Sequence, residues 1–410
     1  MSGTNSEDID LPDRATVMGL GLHGGGLAAV RFLAERGVRV TVTDLRDEST
    51  LRPSLDAMAD LSDVRLVLGR HEEADFRDAE WVVKNPAVPR RNRFLALARR
   101  VETDISIFRK SFGGRLVAVT GTKGKSGTAS AIHYGLEFAG IRAHLGGNIT
   151  VSPLTFRPAP GDTVVLELSS FQLGDLALTG WFASGGRLRP DLAVITSFMT
   201  DHQDYYGDMD DYARDKAAIG TGADSQAILV LGAPSAWEAM FRRSWPGRLA
   251  DGWGARPDLE TGISWESETG PIRIRQDGWS ATLFSETPGE RGPRGRNRAL
   301  AALCLHLLGA DTATAAEGAR AYPGIPHRME LIGKDGESRR FYNDSAATVP
   351  EAVVAAVESL DCPPVLICGG TDKDLSYARF AELADRIAAL VLLEGSATAK
   401  IRAAVVAGMS

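Results

Sequence analysis

Cysteine is scarce. Cys304, Cys362 and Cys368 are the only three in 410 residues, and none stands at a metal-ligand spacing from another. That excludes a disulfide scaffold or a cysteine-built metal centre and suits a reducing compartment. No apolar run is long enough to cross a bilayer, and the polar, acidic start from Ser2 to Asp13 does not resemble a secretory leader. A cytoplasmic location is therefore expected. Positive charge is not in excess: 46 Lys and Arg face 53 Asp and Glu, for a net charge of −7. This argues against broad nucleic-acid binding and leaves room for a local cationic pocket. The Arg-rich stretches Arg90-Arg91-Asn92-Arg93 and Arg291 to Arg298 read as solvated loops. Repeats and low-complexity tracts are absent too. What remains, 44% hydrophobic and 24% charged, is ordinary globular composition, with enough chain for two or three domains.

Short β-rich apolar runs alternate with amphipathic helical stretches. The runs include Thr16 to Gly19, Arg39 to Thr43, Val64 to Leu68, Val82 to Lys84, Leu116 to Thr120, Thr163 to Leu168, Leu192 to Ile195 and Ala227 to Leu231. Helical patterns lie at Gly26 to Arg36, Phe94 to Arg100, Asp210 to Ile219 and Arg298 to Leu308. The alternation predicts an α/β fold with largely parallel sheets. Between Trp253 and Phe284 the rhythm changes to short strands with turn dipeptides, which predicts an antiparallel insertion. A Pro/Gly hinge at Tyr322-Pro-Gly-Ile-Pro326 leads into a last α/β segment.

The strongest motif is Val119-Thr-Gly-Thr-Lys-Gly-Lys-Ser126, set between a strand and an Ala-rich helix. Such a turn lets backbone N–H groups and a helix N-terminus approach phosphate oxygens. Lys125 can then reach the distal phosphates and the Ser126 hydroxyl can ligate Mg²⁺. Val119 occupies the place of the usual first glycine, so the match is partial.

Near the start, Gly19-Leu-Gly21-Leu-His-Gly24 follows a strand, and Asp44 closes the next strand twenty residues later. This spacing suits a dinucleotide fingerprint, another nucleotide, or tight packing of a helix on a strand. Glu167 ends another strand-like run and is a candidate Mg²⁺ ligand beside Ser126; a surface acid is the alternative. Asp201-His202-Gln-Asp204 follows the next strand and offers oxygen and imidazole together. Lys216, fourteen residues after His202, reads by itself as a solvated lysine.

Taken together, the phosphate loop, Glu167-Leu-Ser-Ser-Phe-Gln-Leu173 and the Asp-His-x-Asp segment resemble the Mur ligases. Pro326-His-Arg-Met-Glu330 and Asn343-Asp-Ser-Ala-Ala-Thr348 are similar to the D-glutamate-adding branch of that family. The resemblance runs in order from about Thr16 to Ser396. It implies three domains: a UDP-binding Rossmann-like domain at 1–104, a central ATP-binding domain at 105–323, and a Rossmann-like amino-acid-binding domain at 324–410. The implied reaction joins D-glutamate to UDP-N-acetylmuramoyl-L-alanine at the expense of ATP, through an acyl phosphate, with two Mg²⁺ ions. No nucleic acid or membrane partner is expected, and a monomer is.

By the same resemblance, Leu22, His23, Asp44 and Leu45 stand near uracil and ribose, and Gly147, Asn148 and Ser169 near the muramoyl part. Gly121, Thr122, Lys123, Gly124, Lys125, Ser126, Asn297, Arg328 and Asp344 match ATP contacts, and Thr348 and Lys373 match D-glutamate contacts. Ser126 and Glu167 correspond to the first metal site, and His202 to the second. Lys216 corresponds to a lysine that CO₂ converts to a carbamate, which makes it a metal-orienting anion instead of a solvated cation. Lys125, His202 and Lys216 are the expected catalytic residues.

Three departures stand out. Ala346 lies where many relatives carry Lys, and Arg294-Gly-Arg-Asn297 matches the adenine segment poorly. The last domain is also expected to be incomplete, exposing an apolar sheet edge. A related ligase for another amino acid, a folate-type ligase, a non-catalytic UDP-sugar-binding paralogue and an NAD-dependent dehydrogenase are the competing readings.

Overall fold

The computed structural model describes residues 9–22, 24–149, 151–176, 178–179, 187–203, 205–252, 261–265, 271–276, 279–285, 293–372 and 375–409. The chain divides into two compact units, Met1–Arg291 with Gly295–Tyr322, and Pro323–Ser410 with Gly292–Arg294.

The first unit holds two large sheets. Strands β1 (Arg14–Met18), β2 (Arg39–Asp44), β3 (Val64–Leu68), β4 (Trp81–Lys84) and β5 (Val101–Glu102) pair in parallel in the order β3-β2-β1-β4-β5. The direction of winding reverses between β1 and β4, and the crevice beyond such a switch point is where open α/β sheets take ligands. The Gly19–Gly24 turn leaves β1 there and enters helix α1 (Gly25–Ala34). Glycine at 26 is required by close approach: a Cβ would lie 2.3 and 2.4 Å from the carbonyl oxygens of Leu20 and Gly19.

The second sheet contains β6 (Arg115–Thr120), β7 (Ala143–Gly147), β8 (Thr163–Glu167), β9 (Leu192–Ile195), β10 (Ile228–Leu231), β11 (Arg248–Asp251), β12 (Thr261–Trp265), β13 (Ile272–Gln276) and β14 (Trp279–Phe284). Their order is β14-β13-β12-β11-β10-β9-β6-β8-β7, parallel from β7 to β12 and antiparallel through β13 and β14. The antiparallel strands expected between Trp253 and Phe284 are thus present, and they extend the edge of the main sheet. The helix expected over Phe94 to Arg100 reduces to a single 3₁₀ turn, Leu95–Leu97. So short a stretch gains little from helix propagation, and Phe94 and Leu95 are anchored instead in an apolar cluster with Met18 and Phe76.

One continuous core explains why the two sheets form a single unit. It runs from Ala28, Val30 and Leu33 of α1, through Ile105, Ile107 and Phe108, to Ala118, Leu166 and Ala193 on one face of the second sheet. The opposite face is covered by helices α2 (Lys125–Phe138) and Pro293–Leu307, with Ile132, Leu136, Leu300 and Leu303 buried. Burying each such side chain contributes roughly 1.5–3 kcal/mol, so separating the sheets would be costly.

The second unit contains a hairpin, β15 (Glu330–Lys334) with β16 (Arg340–Asn343), and a parallel pair, β17 (Val365–Gly369) with β18 (Ala389–Leu393). Its core is small, built on Val354, Val357, Phe380, Leu383, Ile401 and Val405. Val365, Ile367, Val391 and Leu393 are exposed on β17 and β18. Because successive strand residues point to opposite sides, the apolar exposure is a sheet face and not merely the edge expected from the sequence.

Candidate active site

Strands β8, β6 and β9 lie side by side, and their C-terminal ends carry the chemistry. Val119 pairs with Glu167, and Thr120 with Ile195. Val119 lies inside β6 and is fully buried, so the absent first glycine falls outside the turn, which occupies Gly121 to Gly124. Gly121 has φ +144°, and a Cβ there would lie 2.0 Å from Thr196 Oγ1. The loop is latched to the end of β9. Thr122 N donates to Ser197 O (2.8 Å), Lys123 N to Ser197 Oγ (2.9 Å) and Thr196 Oγ1 to Lys123 O (2.6 Å).

Lys125 opens α2 and folds back over the loop, its Nζ donating to Gly121 O (3.0 Å) and Thr122 O (2.9 Å). Ser126 follows in the first turn, where unpaired helix N–H groups favour anions. Asn297 packs on the same turn: its Oδ1 accepts from Thr128 Oγ1 at 3.4 Å, and a Cβ on Gly127 would meet its Nδ2 at 2.1 Å. The poorly matched adenine segment therefore does bring one Asn to the phosphate loop.

Lys216 departs from its bare sequence reading. It lies on helix α3 (Met209–Ala217), is 1% exposed, and donates from Nζ to Gly121 O at 2.8 Å. Burial, and then the neighbouring Lys125 cation, hold its ammonium down to about 7, against opposing pulls from Asp201 and Asp215. Tyr212 lies beneath it, with Nζ 4.6 Å from the ring centre.

Glu167 is likewise 1% exposed. Its Oε1 accepts from Asn148 Nδ2 at 3.0 Å, while Oε2 is buried without a partner among the described residues. Asn148 N also donates to Glu167 O at 2.7 Å, so the Gly147–Asn148 segment orients this acid. A buried, unpartnered carboxylate oxygen beside a loop bearing a serine hydroxyl suits a hard cation such as Mg²⁺. Among the described residues no three His, Cys, Asp or Glu side chains gather as a ready-made metal cluster. His202 stands on the loop after β9 in a left-handed conformation (φ +53°), its ring edge-on to Phe171 and Tyr212 at 5.1 and 5.9 Å. Asp201 sits 3.4 Å from Lys123 Nζ, and its carboxyl is held below the ordinary range. Ser169 is engaged in exchange with Gln172, whose Oε1 accepts from its N–H (3.0 Å) and Oγ (3.2 Å).

At the first sheet, Asp44 Oδ2 accepts from Gly21 N at 3.2 Å and Oδ1 from Arg46 N at 3.0 Å. Leu22 and Leu45 flank this turn, both exposed. Asn85, which sequence reasoning missed, closes the other side by donating from Nδ2 to Gly19 O at 3.2 Å. Its position immediately after β4 is the same strand-end signal that singled out Glu167. Arg90 was misread as solvated: it forms a two-armed ion pair with Asp215 across the two sheets.

In the second unit, Arg328 lies in a turn between left-handed His327 and Met329. Asp344 Oδ1 accepts from Met329 N at 2.8 Å, and Ala346 N donates to His327 O at 2.9 Å, so the two motif segments are tied together. Burial raises the Asp344 carboxyl, with Arg328 opposing. Thr348 is exposed, and Val349 rather than Thr348 caps the following helix. His23, Asp204 and Lys373 lie outside the described residues.

Residues 13–107 match the family described as Mur ligase MurD-like, N-terminal domain, and residues 119–249 match the Mur ligase middle domain. A UDP-N-acetylmuramoylalanine–D-glutamate ligase of Treponema pallidum is 38% identical, over 94% of this chain and 85% of that protein. One from a Roseiflexus species is 37% identical, over 95% and 85%. Among solved structures, UDP-N-acetylmuramate-alanine ligase from Thermotoga maritima superposes with a TM-score of 0.59 at 17% identity, covering 96% of this chain and 88% of its own. A murein peptide ligase from Psychrobacter arcticus gives 0.53 at 17% identity, covering 96% and 88%. Those two likenesses speak for the fold alone; identity to the D-glutamate ligases over nearly the whole chain places it in the Mur ligase family, among the UDP-N-acetylmuramoylalanine–D-glutamate ligases.

Proposed function

We propose that the protein is an ATP-dependent ligase that joins D-glutamate to UDP-N-acetylmuramoyl-L-alanine, a step of peptidoglycan precursor synthesis in the cytoplasm. The observation that carries the reading is the row of strand ends β8, β6 and β9, where Glu167 pairs with Val119 at the end of the strand that leads into the phosphate loop, and buried Lys216 donates to that loop at Gly121 O. The regions 1–104, 105–323 and 324–410 then serve the UDP-sugar, ATP and the amino acid in turn.

The N–H groups from Gly121 to Ser126 bind the β- and γ-phosphates, and Lys125 turns from its loop carbonyls toward them. The alanyl carboxylate oxygen attacks the γ-phosphorus and ADP leaves. The neutral amine of D-glutamate then attacks the acyl carbon, inorganic phosphate departs, and the nitrogen loses a proton. Ser126 and Glu167 would hold one Mg²⁺, and His202 with modified Lys216 would orient a second; such ions neutralise charge on the transferring phosphoryl group. Lys216 suits carbamate formation because its amine is buried and, with its ammonium held down to about 7, offers a substantial neutral fraction near neutrality. The neutral amine nitrogen adds to the carbon of CO₂ and releases one proton, so that an anion stands where the protonated lysine would be a repelling cation. Arg328 and Asp344 would contact ATP, and Thr348 with Lys373 the carboxylates of D-glutamate.

The test is mass detection of the amide product from ATP, Mg²⁺, UDP-N-acetylmuramoyl-L-alanine and D-glutamate. L-Glutamate and other amino acids serve as competitors. ADP formation with no amide, or preferential use of another amino acid, would overturn the assignment.

A further inference from the structure

Loop 84–90 connects the first sheet to two helices that follow strands of the second. At one end Lys84, 1% exposed, pairs with Asp175, 2% exposed, Nζ to Oδ2 at 2.5 Å. Its neighbour Asn85 donates to Gly19 O in the turn assigned to the UDP-sugar. At the other end Arg90 grips Asp215 through both terminal nitrogens and donates from Nε to Tyr205 OH at 3.1 Å. Tyr206 OH donates to Asp215 Oδ2 at 2.9 Å. Asp215 immediately precedes Lys216, whose Nζ reaches the phosphate loop. Residue 174 is glycine where this pair crosses: a Cβ there would lie 2.4 Å from Asp215 Oδ2 and 2.5 Å from Arg90 Nη1.

A buried ion pair beside a half-buried one in the same seam is not a cheap source of stability. Desolvation of both charges offsets most of their attraction, and apolar residues of similar volume often serve as well or better. What paired charges add is a unique register, because any slip leaves an uncompensated charge. The reaction needs such a register, since one substrate must span from the Gly19 turn to the phosphate loop.

We propose that Lys84 and Arg90 are positioning residues for ligation: with Asp175 and Asp215 they fix the UDP-sugar crevice against the phosphate loop, so that the alanyl carboxylate arrives in line with the γ-phosphate. The proposal rests on the ligase assignment above. Neither residue touches a reacting atom, and each acts through placement. A displacement of about 1 Å can cost about 10²-fold in rate with little effect on binding either substrate alone.

The experiment compares the full chain with the double variant Lys84→Met/Asp175→Leu, and with Arg90→Met and Arg90→Lys. Thermal melting, calorimetric Kd values for UDP-N-acetylmuramoyl-L-alanine and for ADP separately, and kcat for ligation are measured. The expected result for Lys84→Met/Asp175→Leu is near-parental melting and both Kd values unchanged, with kcat lower by about tenfold or more. Arg90→Met should lose kcat in the same way, and Arg90→Lys should recover part of it. Unchanged kcat in the folded double variant overturns the proposal. So does a kcat loss that merely follows lower melting or weaker binding of either ligand. A parent protein that binds both ligands but makes no amide overturns the ligase assignment itself, and this inference with it.

Discussion

Substituting Glu167→Gln should raise stability while abolishing most activity, two effects of opposite sign from one atom. The side chain is 1% exposed; Oε1 already accepts from Asn148 Nδ2, and Oε2 is buried without a partner among the described residues. Glutamine keeps an oxygen for Asn148 and removes the carboxylate oxygen that has no hydrogen-bond partner among the described residues. A buried acceptor without its hydrogen bond costs about 1–3 kcal/mol, and more when charged. Even partial relief of about 1–2 kcal/mol would raise the melting midpoint by roughly 1–3 °C. If Oε2 is a metal-ligating oxygen, the variant also loses linkage. The parent should gain about 2.7 kcal/mol when Mg²⁺ with nucleotide stands at about 100 times its Kd, and the variant far less. Turnover should fall by about 10²-fold or more, because charge developing on the phosphoryl group loses its counterweight. Differential scanning with and without Mg²⁺·ADP, beside a coupled phosphate assay, reads all three quantities. A variant that melts below the parent without metal, or turns over normally with it, refutes the reasoning.

Lys125→Ala should cut phosphate release by about 10²-fold or more while calorimetry finds UDP-sugar binding unchanged, because the Gly19 turn lies on the other sheet. Lys216→Ala should be inactive and partly rescued by short-chain carboxylates, and intact-mass analysis of the parent under bicarbonate should show one added CO₂ that the variant lacks. Lys216 also imposes a pH dependence on the unliganded protein. Its folded pKa, near 7, lies below the unfolded value near 10.5, so the unfolded chain binds the proton more tightly. The stabilisation is complete above the unfolded value and is lost as pH falls toward 7. Denaturant melts without bicarbonate should therefore weaken across that window, and Lys216→Met should flatten the trend.

Fold class and motif order were legible because both are local. Alternating strand and helix periods mark the sheets, and the turn from Gly121 to Gly124 needs residues of a particular shape wherever it occurs. The place of Glu167 was legible for a related reason: it closes a run of apolar residues that forms a buried strand. The fate of Lys216 was not. Nothing in Met209–Ala217 distinguishes an outward lysine from one buried against Gly121, because the deciding neighbours come from strands about a hundred residues away. The same holds for Arg90, whose Arg-rich surroundings suggest solvent, and for the attachment of β12 to β11, which among the described residues runs through Asp251 and Gly262.

Charges reveal the difference most clearly. Periodicity marks where apolar side chains go, but a buried charge is tolerated only where distant groups compensate it, so its burial is a property of the assembled fold. Lys84 and Asp175, ninety-one positions apart, are each unremarkable in sequence and meaningful only as a pair. Glu167 is the converse case, a buried acid whose second oxygen finds no compensating group within the described protein. Structural ion pairs and ligand-binding groups can thus be distinguished by whether the fold completes them. By that criterion the seam at Lys84 and Arg90 is closed upon itself, while Glu167 Oε2 has no partner among the described residues, which supports the proposed metal role.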